Sequence, residues 1–104
     1  MNELIDKIEE SVSMLLKYDT KGFGESAQEI VNMMMALLPV IINCYSDPKM
    51  EDLREDAIYW PGQLERIIKT LEDDDMLEIV DVLYNETRCN LIELRDTLVE
   101  RGLL

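Results

Sequence analysis

Carboxylates are the only side chains in this sequence that are plentiful enough to suggest chemistry. Asp52 and Glu55 are three residues apart, and Glu78 and Asp81 repeat that spacing. On a helix, residues at this spacing lie one turn apart on one face, as the carboxylates of a magnesium site do. The sequence has no histidine, no serine in a nucleophile turn and no glycine-rich phosphate loop. Carboxylates around Mg²⁺ are therefore the catalytic arrangement to consider.

These two acidic pairs resemble the paired acidic motifs of MazG-like all-α nucleotide pyrophosphohydrolases. The resemblance covers only these short motifs, and it implies carboxylates on two helices that hold Mg²⁺ against a nucleoside triphosphate. The sequence departs from the family pattern at Asp52, which stands in place of Glu, and at Trp60-Pro61-Gly62, which interrupts the helix beyond Glu55. Acid pairs with the same spacing also occur at Glu3/Asp6, Asp6/Glu9, Glu72/Asp75 and Glu93/Asp96. A magnesium-dependent pyrophosphohydrolase is thus an alternative; the main prediction has no catalytic residue, no metal site and no cofactor.

The charge of the chain limits its partners. The formal net charge of the 104 residues is -13, from 23 acidic and 10 basic residues, and residues 51–104 hold 15 of the acidic ones. Such a surface repels phosphate backbones and anionic headgroups, which argues against direct binding to nucleic acid or to a membrane. Solubility explains the acidic half of the chain. A second alternative is an acidic nucleic-acid mimic that binds a basic protein.

Two features bear on the compartment. The sequence starts without the basic, apolar and cleavage regions of a signal peptide, and its longest apolar run is too short and interrupted to span a bilayer. We therefore expect a cytoplasmic protein. Cys44 and Cys89 are far apart in sequence and have no histidine to complete a zinc motif, which favours two buried free thiols.

Hydrophobic periodicity predicts an all-α fold. We expect residues 1–104 to form a single helical domain, a compact antiparallel bundle of about four main helices with short loops. Turn residues and two glycines at Asp19–Gly24 end helix 1. Helix 2 then starts near Ser26, which has capping-box spacing with Glu29, or a few residues earlier, and is kinked near Pro39. Helix 3 restarts at Asp47-Pro48 and is broken near Trp60-Pro61-Gly62.

The last predicted helix has well-marked ends. Asp75 is its expected N-cap. Gly102 takes the left-handed position after the helix, with Leu103 completing a Schellman motif. The expected core stripe of this helix is Met76, Val80, Leu83, Tyr84, Leu91, Leu94 and Leu98.

Helix 2 is more apolar than a helix of a small bundle needs to be. Between Ile30 and Ile42, apolar side chains cover roughly 220° of the helical wheel, whereas a core-facing stripe needs about 100° or somewhat more. Met34 points to the core, and Met33 and Met35 lie toward the two flanks. We expect a partner on the surplus, most simply a second copy of the chain. The predicted partner-binding residues of this helix are Met33, Met35, Val40 and Ile42.

Two other groups extend the predicted partner surface. Val82 and Ile92 belong to a thinner apolar line on the last helix, opposite its main stripe. Tyr59 and Trp60 beside Pro61 would anchor a partner if they are exposed. The alternatives are that Trp60 closes one end of the core and that the third segment of the same chain covers helix 2.

The sequence as a whole favours a small, acidic, non-enzymatic helical protein that acts through protein–protein association. A homodimer through helix 2 is the expected assembly, with another protein partner as an addition. An adaptor, a chaperone-like protein or a regulatory protein fits this description equally well.

Overall fold

The computed structural model describes residues 1–104, and all of its regular elements are helical. Along the chain these elements are α1 Asn2–Leu16, α2 Thr20–Tyr45, a 3₁₀ segment Pro48–Ile58, α3 Tyr59–Asp73, α4 Met76–Val80, a π segment Asp81–Arg88 and α5 Cys89–Glu100. Because α4, the π segment and α5 follow without a gap, they form one rod, which we call the C-terminal helix. The predicted all-α bundle is confirmed.

The start of α2 is set by Asp19. Its side chain accepts a hydrogen bond from the backbone N–H of Gly22 at 3.0 Å, which satisfies one of the free donors of the first turn. The helix therefore begins at Thr20, ahead of the predicted start near Ser26. Ser26 lies inside the helix, is buried, and shares a hydrogen bond with Ser11 of α1.

The chain between α2 and α3 remains helical. As predicted, Asp47 caps the 3₁₀ segment, accepting from the N–H of Lys49 at 2.9 Å, and Pro48 takes the first position. Helix type changes between Ile58 and Tyr59, just before Trp60-Pro61-Gly62, which lie in the first turn of α3. Proline is tolerated there, since it fits the first turn of a helix.

The C-terminal helix differs from prediction in its register. Its N-cap is Asp75 as expected, accepting from the N–H groups of Leu77 and Glu78 at 3.1 and 3.3 Å. From the start of this helix through Tyr84 in the π segment, however, the side chains that face the core are one position earlier than an unbroken α-helix would place them. Met76 and Tyr84 are exposed, and the buried side chains of the rod are Ile79, Val82, Leu83, Thr87, Leu91, Leu94 and Leu98.

The π turn explains this shift. A π bulge holds one residue more per turn than an α-helix, so the stripe that includes Leu91 continues upstream through Leu83 and Ile79. The Thr87 hydroxyl donates to the carbonyl of Val82, five residues before it, at 2.8 Å. The same hydroxyl accepts from the buried amide of Gln63 at 2.8 Å, which ties the π segment to α3.

α1 and α3 both run antiparallel to the C-terminal helix. On the α1 side, Asn2 contacts Arg95 at 2.9 Å and Glu9 contacts Arg88 at 2.8 Å, so the start of α1 lies by the end of the rod. On the α3 side, Gln63 contacts the middle of the rod and Thr70 lies near its start. α2 packs against α1 and α3, which completes a bundle of 44 × 21 × 20 Å.

The end of the chain adopts the predicted Schellman motif. Gly102 has φ 75°, its N–H donates to Val99 at 3.1 Å, and the N–H of Leu103 donates to Leu98 at 2.8 Å. Arg101 then forms an ion pair with Asp52 of the 3₁₀ segment. This pair joins the end of the C-terminal helix to the segment that follows α2.

The thiols are more exposed than predicted. Cys44 is half-buried and Cys89 is exposed, so the expectation of two buried thiols is wrong. Both thiols are free. Cys89 belongs to α5, where it lies on the face opposite the buried Leu91, Leu94 and Leu98.

Candidate functional site

The predicted partner surface on α2 is largely open to solvent. Met35 is 57% exposed, Val40 55% and Ile42 41%, whereas Met33 is half-buried against the core. Met34 is fully buried, as predicted. The neighbouring helices of the same chain therefore leave much of the apolar surplus uncovered.

One flank of α2 carries a regular row of apolar side chains. Val31, Met35, Leu38 and Ile42 are separated by four, three and four residues, which is the spacing of a coiled-coil seam. Met35 and Ile42 are exposed, and Val31 and Leu38 are half-buried. We call these four residues the α2 seam. Sequence reasoning missed Val31 and Leu38, although the heptad spacing identifies them.

The other flank of α2 forms a shallow hollow with the start of α1. Met33, Leu37 and Val40 line it from α2, and Met1 and Leu4 line it from α1; its volume is about 250 Å³. Thus Met33 and Val40 belong to a different face from Met35 and Ile42. The predicted residues of α2 form two surfaces instead of one.

Two predicted partner residues are enclosed by the chain itself. Val82 is 0% exposed and Trp60 is 2% exposed, so neither can belong to a partner surface. For Val82 the π turn is the cause, since it rotates this residue from the outer face to the core. Ile92 is half-buried and packs against the core, and Tyr59 is half-buried at the edge of Trp60.

α2 has two properties that bear on what covers it. Between Glu29 and Asp47 there is no charged residue, which makes this the longest uncharged run in the chain. By length and composition α2 is also the one helix that could cross a membrane, so the expectation that no run is long enough is wrong. Only 22% of its apolar window is buried inside the chain. Core helices of soluble proteins meet the same length and composition test.

Trp60 is a buried member of the hydrophobic core. Its indole Nε1–H donates to the Tyr45 hydroxyl at 3.1 Å. Tyr59 meets the Trp60 ring edge-on, with centroids 4.9 Å apart and planes at 84°, and its hydroxyl accepts from Asn90 Nδ2 at 2.7 Å. Burial raises the pKa of Tyr45 and of Tyr59 above the ordinary phenol value.

These phenols predict a loss of stability in alkali. Because the pKa of each phenol is higher in the folded protein than in the unfolded chain, the neutral phenols contribute their full stabilisation below about pH 10. This stabilisation is lost as the pH rises through the pKa values of the folded protein. We expect the free energy of unfolding, measured by urea denaturation, to fall from about pH 10 upward. The double variant Tyr45→Phe/Tyr59→Phe should reduce that slope, and Tyr18→Phe, at an exposed tyrosine, should keep it. An unchanged slope in the double variant would contradict this assignment.

The two acidic pairs do not meet. Asp52 is ion-paired with Arg101, at the end of the C-terminal helix, whereas Glu78 lies in its first turn. At 1.5 Å per residue, the helix between Glu78 and Arg101 is roughly 35 Å long, too far for one metal ion to bridge. Asp81 is hydrogen-bonded to Asn85 at 3.0 Å. No group of three metal-ligating side chains converges anywhere in the chain.

Comparison of the chain with protein-family models, with curated proteins and with solved structures finds no match. The exposed apolar side chains of α2 are therefore the feature of the molecule from which a function can be inferred.

Proposed function

We propose that this protein acts through protein–protein association and that its first partner is a second copy of itself, bound through the α2 seam. The observation that supports the proposal is the exposure of Met35 and Ile42 within a seam of heptad spacing. Fully burying an exposed apolar side chain of this size contributes about 1.5–3 kcal/mol. In a two-fold dimer each side chain is buried twice, once on each protomer.

Charge favours a second copy at this place. Each chain carries a net charge of -13, so two copies repel each other over most of their surfaces. The run from Ile30 to Ser46 has no charged residue, and there two protomers can approach without facing like charges. Because the α2 seam has heptad spacing, two α2 helices can pack along their length, with the side chains of one helix between those of the other.

The test is the oligomeric state of the full chain. Light scattering after size exclusion, from about 10 μM to about 1 mM, should give a mass approaching twice 12.1 kDa as concentration rises. Met35→Glu and Met35→Lys should each give the monomer mass with unchanged helical content. If both variants are monomeric, burial of the apolar side chain causes dimerisation, because the lysine variant makes the net charge less negative and so weakens the repulsion between protomers.

Leu77 supplies the matched control, since it is 79% exposed and lies in α4, away from the α2 seam. Leu77→Glu and Leu77→Lys should dimerise as the original chain does. A monomer at every concentration would overturn the proposal, and so would equal effects of the Met35 and Leu77 variants. Co-flotation of the original chain with lipid vesicles in place of dimerisation would assign α2 to a membrane instead.

A further inference from the structure

The α2 seam contains one methionine that is open to solvent in the single chain. Met35 is 57% exposed, whereas Met34 beside it is fully buried and Met33 is half-buried against the core. Of the seven methionines of the chain, the only other exposed one is Met76, at the start of α4, with 36% exposure. Three successive methionines thus differ in their access to solvent, and the accessible one lies in the seam.

Position within the seam makes Met35 different from Met76. Val31 and Leu38 lie one helical turn on either side of Met35. In the dimer proposed above, on which this inference rests, Met35 lies against the partner and is withdrawn from solvent. Met76 lies in α4, which packs against α3 and the π segment, so we expect it to remain exposed in both the monomer and the dimer.

Peroxides oxidise methionine sulfur, and the product is polar. A lone pair of the sulfur attacks one oxygen of hydrogen peroxide, so that the S–O bond forms as the O–O bond breaks. The transferred oxygen gives its proton to the departing hydroxide, which leaves as water. The sulfur loses two electrons and the peroxide gains them. The resulting sulfoxide oxygen finds no hydrogen-bond donor among the side chains of Val31, Leu38 and Ile42.

We propose that Met35 is a modification site at which a peroxide oxidant separates the two protomers. Only the monomer exposes Met35 to the oxidant, and only the unoxidised side chain is apolar enough for the seam. Association therefore protects Met35, and oxidation opposes association by the same coupling free energy. Because a two-fold dimer contains Met35 twice, sulfoxide in both protomers should weaken association at least about tenfold. Methionine sulfoxide reductase restores the thioether, so the modification is reversible.

Partial oxidation of the full chain tests this inference, with Met76 as an internal control. The chain is treated with excess hydrogen peroxide at the lowest and the highest concentration of the light-scattering experiment. Peptide mass spectrometry then gives the rate of sulfoxide formation at each methionine. Met35 should be oxidised more slowly at the higher concentration, in proportion to the fraction of monomer, whereas the rate at Met76 should be the same at both concentrations.

Size exclusion of the partly oxidised chain measures the effect on association. Met35 sulfoxide should be concentrated in the monomer fraction, Met76 sulfoxide should be equally abundant in both fractions, and sulfoxide reductase should convert the oxidised monomer back to dimer. Peroxide also oxidises thiols, so Cys44 and Cys89 are mapped in the same fractions.

The outcomes separate this inference from the dimer itself. Equal amounts of Met35 sulfoxide in monomer and dimer would overturn the inference alone. Loss of the dimer that follows oxidation of Cys44 or Cys89 instead of Met35 would do the same. A chain that is monomeric before any oxidation would overturn the proposed dimer, and the inference with it.

Discussion

Deletion of Asn85 should leave the protein folded, whereas deletion of Asn32 should abolish its cooperative unfolding transition. The two residues are matched: both are exposed asparagines inside long helical runs, and each forms one exposed hydrogen bond to a side chain four residues earlier. They differ in the helix type around them. Asn85 lies in the π segment, and Asn32 lies in the regular helix α2.

The deletion at Asn85 removes the additional residue that the π turn contains. The buried positions on the two sides, Leu83 and Leu91, then lie on one continuous α-helical stripe. The bond from Thr87 to the Val82 carbonyl becomes a four-residue bond, which threonine forms readily in α-helices. The rod shortens by only about 1.5 Å. We therefore expect the free energy of unfolding to change by less than about 2 kcal/mol.

The deletion at Asn32 has the opposite effect on register. It rotates one half of α2 by about 100° relative to the other. Phe23 and Ile30 on one side and Met34 and Ile41 on the other, all buried, can no longer face the core together. The loss exceeds the roughly 4–5 kcal/mol that marks an exceptional variant, and approaches the whole stability of a small domain.

Urea denaturation followed by circular dichroism compares the two deletions. A cooperative transition for the Asn85 deletion and none for the Asn32 deletion is the expected pair of results. If the Asn85 deletion unfolds the chain as well, the π turn is required by the fold and the account of its register is wrong.

Local signals in the sequence were enough to predict most of the fold. Asp47, Asp75 and Gly102 each determine a helix end through hydrogen bonds that depend on a few neighbouring residues. The start of α2 was predicted too late, because two glycines after Asp19 were interpreted as a turn although a capped helix tolerates them. The π turn carries no comparable local signal, since the advantage of the shifted register comes from packing against α1 and α3.

The candidate site was predicted unevenly for the same reason. The apolar excess of α2 is a property of composition, and it is visible in the exposed Met35 and Ile42. The assignment of Val82 depended on an unbroken α-helical period, so the π turn invalidated it.

The two neighbouring methionines Met34 and Met35 should differ sharply when each is replaced by alanine. Met34 is 0% exposed and Met35 is 57% exposed, so only Met34→Ala leaves a cavity in the core. Its expected cost is about 2–5 kcal/mol, which lowers the melting temperature of a domain of this size by at least about 8 °C. Met35→Ala should change the stability of the dilute protein by no more than about 0.5 kcal/mol.

Concentration separates the two effects further. If α2 joins two protomers, the original chain melts at a higher temperature as its concentration rises, because association stabilises the folded state by mass action. Met35→Ala should weaken this dependence while keeping the melting temperature of the dilute protein. Met34→Ala should lower the melting temperature at every concentration. Scanning calorimetry over a hundredfold range of concentration distinguishes these outcomes. Equal behaviour of the two variants would contradict the assignment of Met34 to the core and of Met35 to the exposed face of α2.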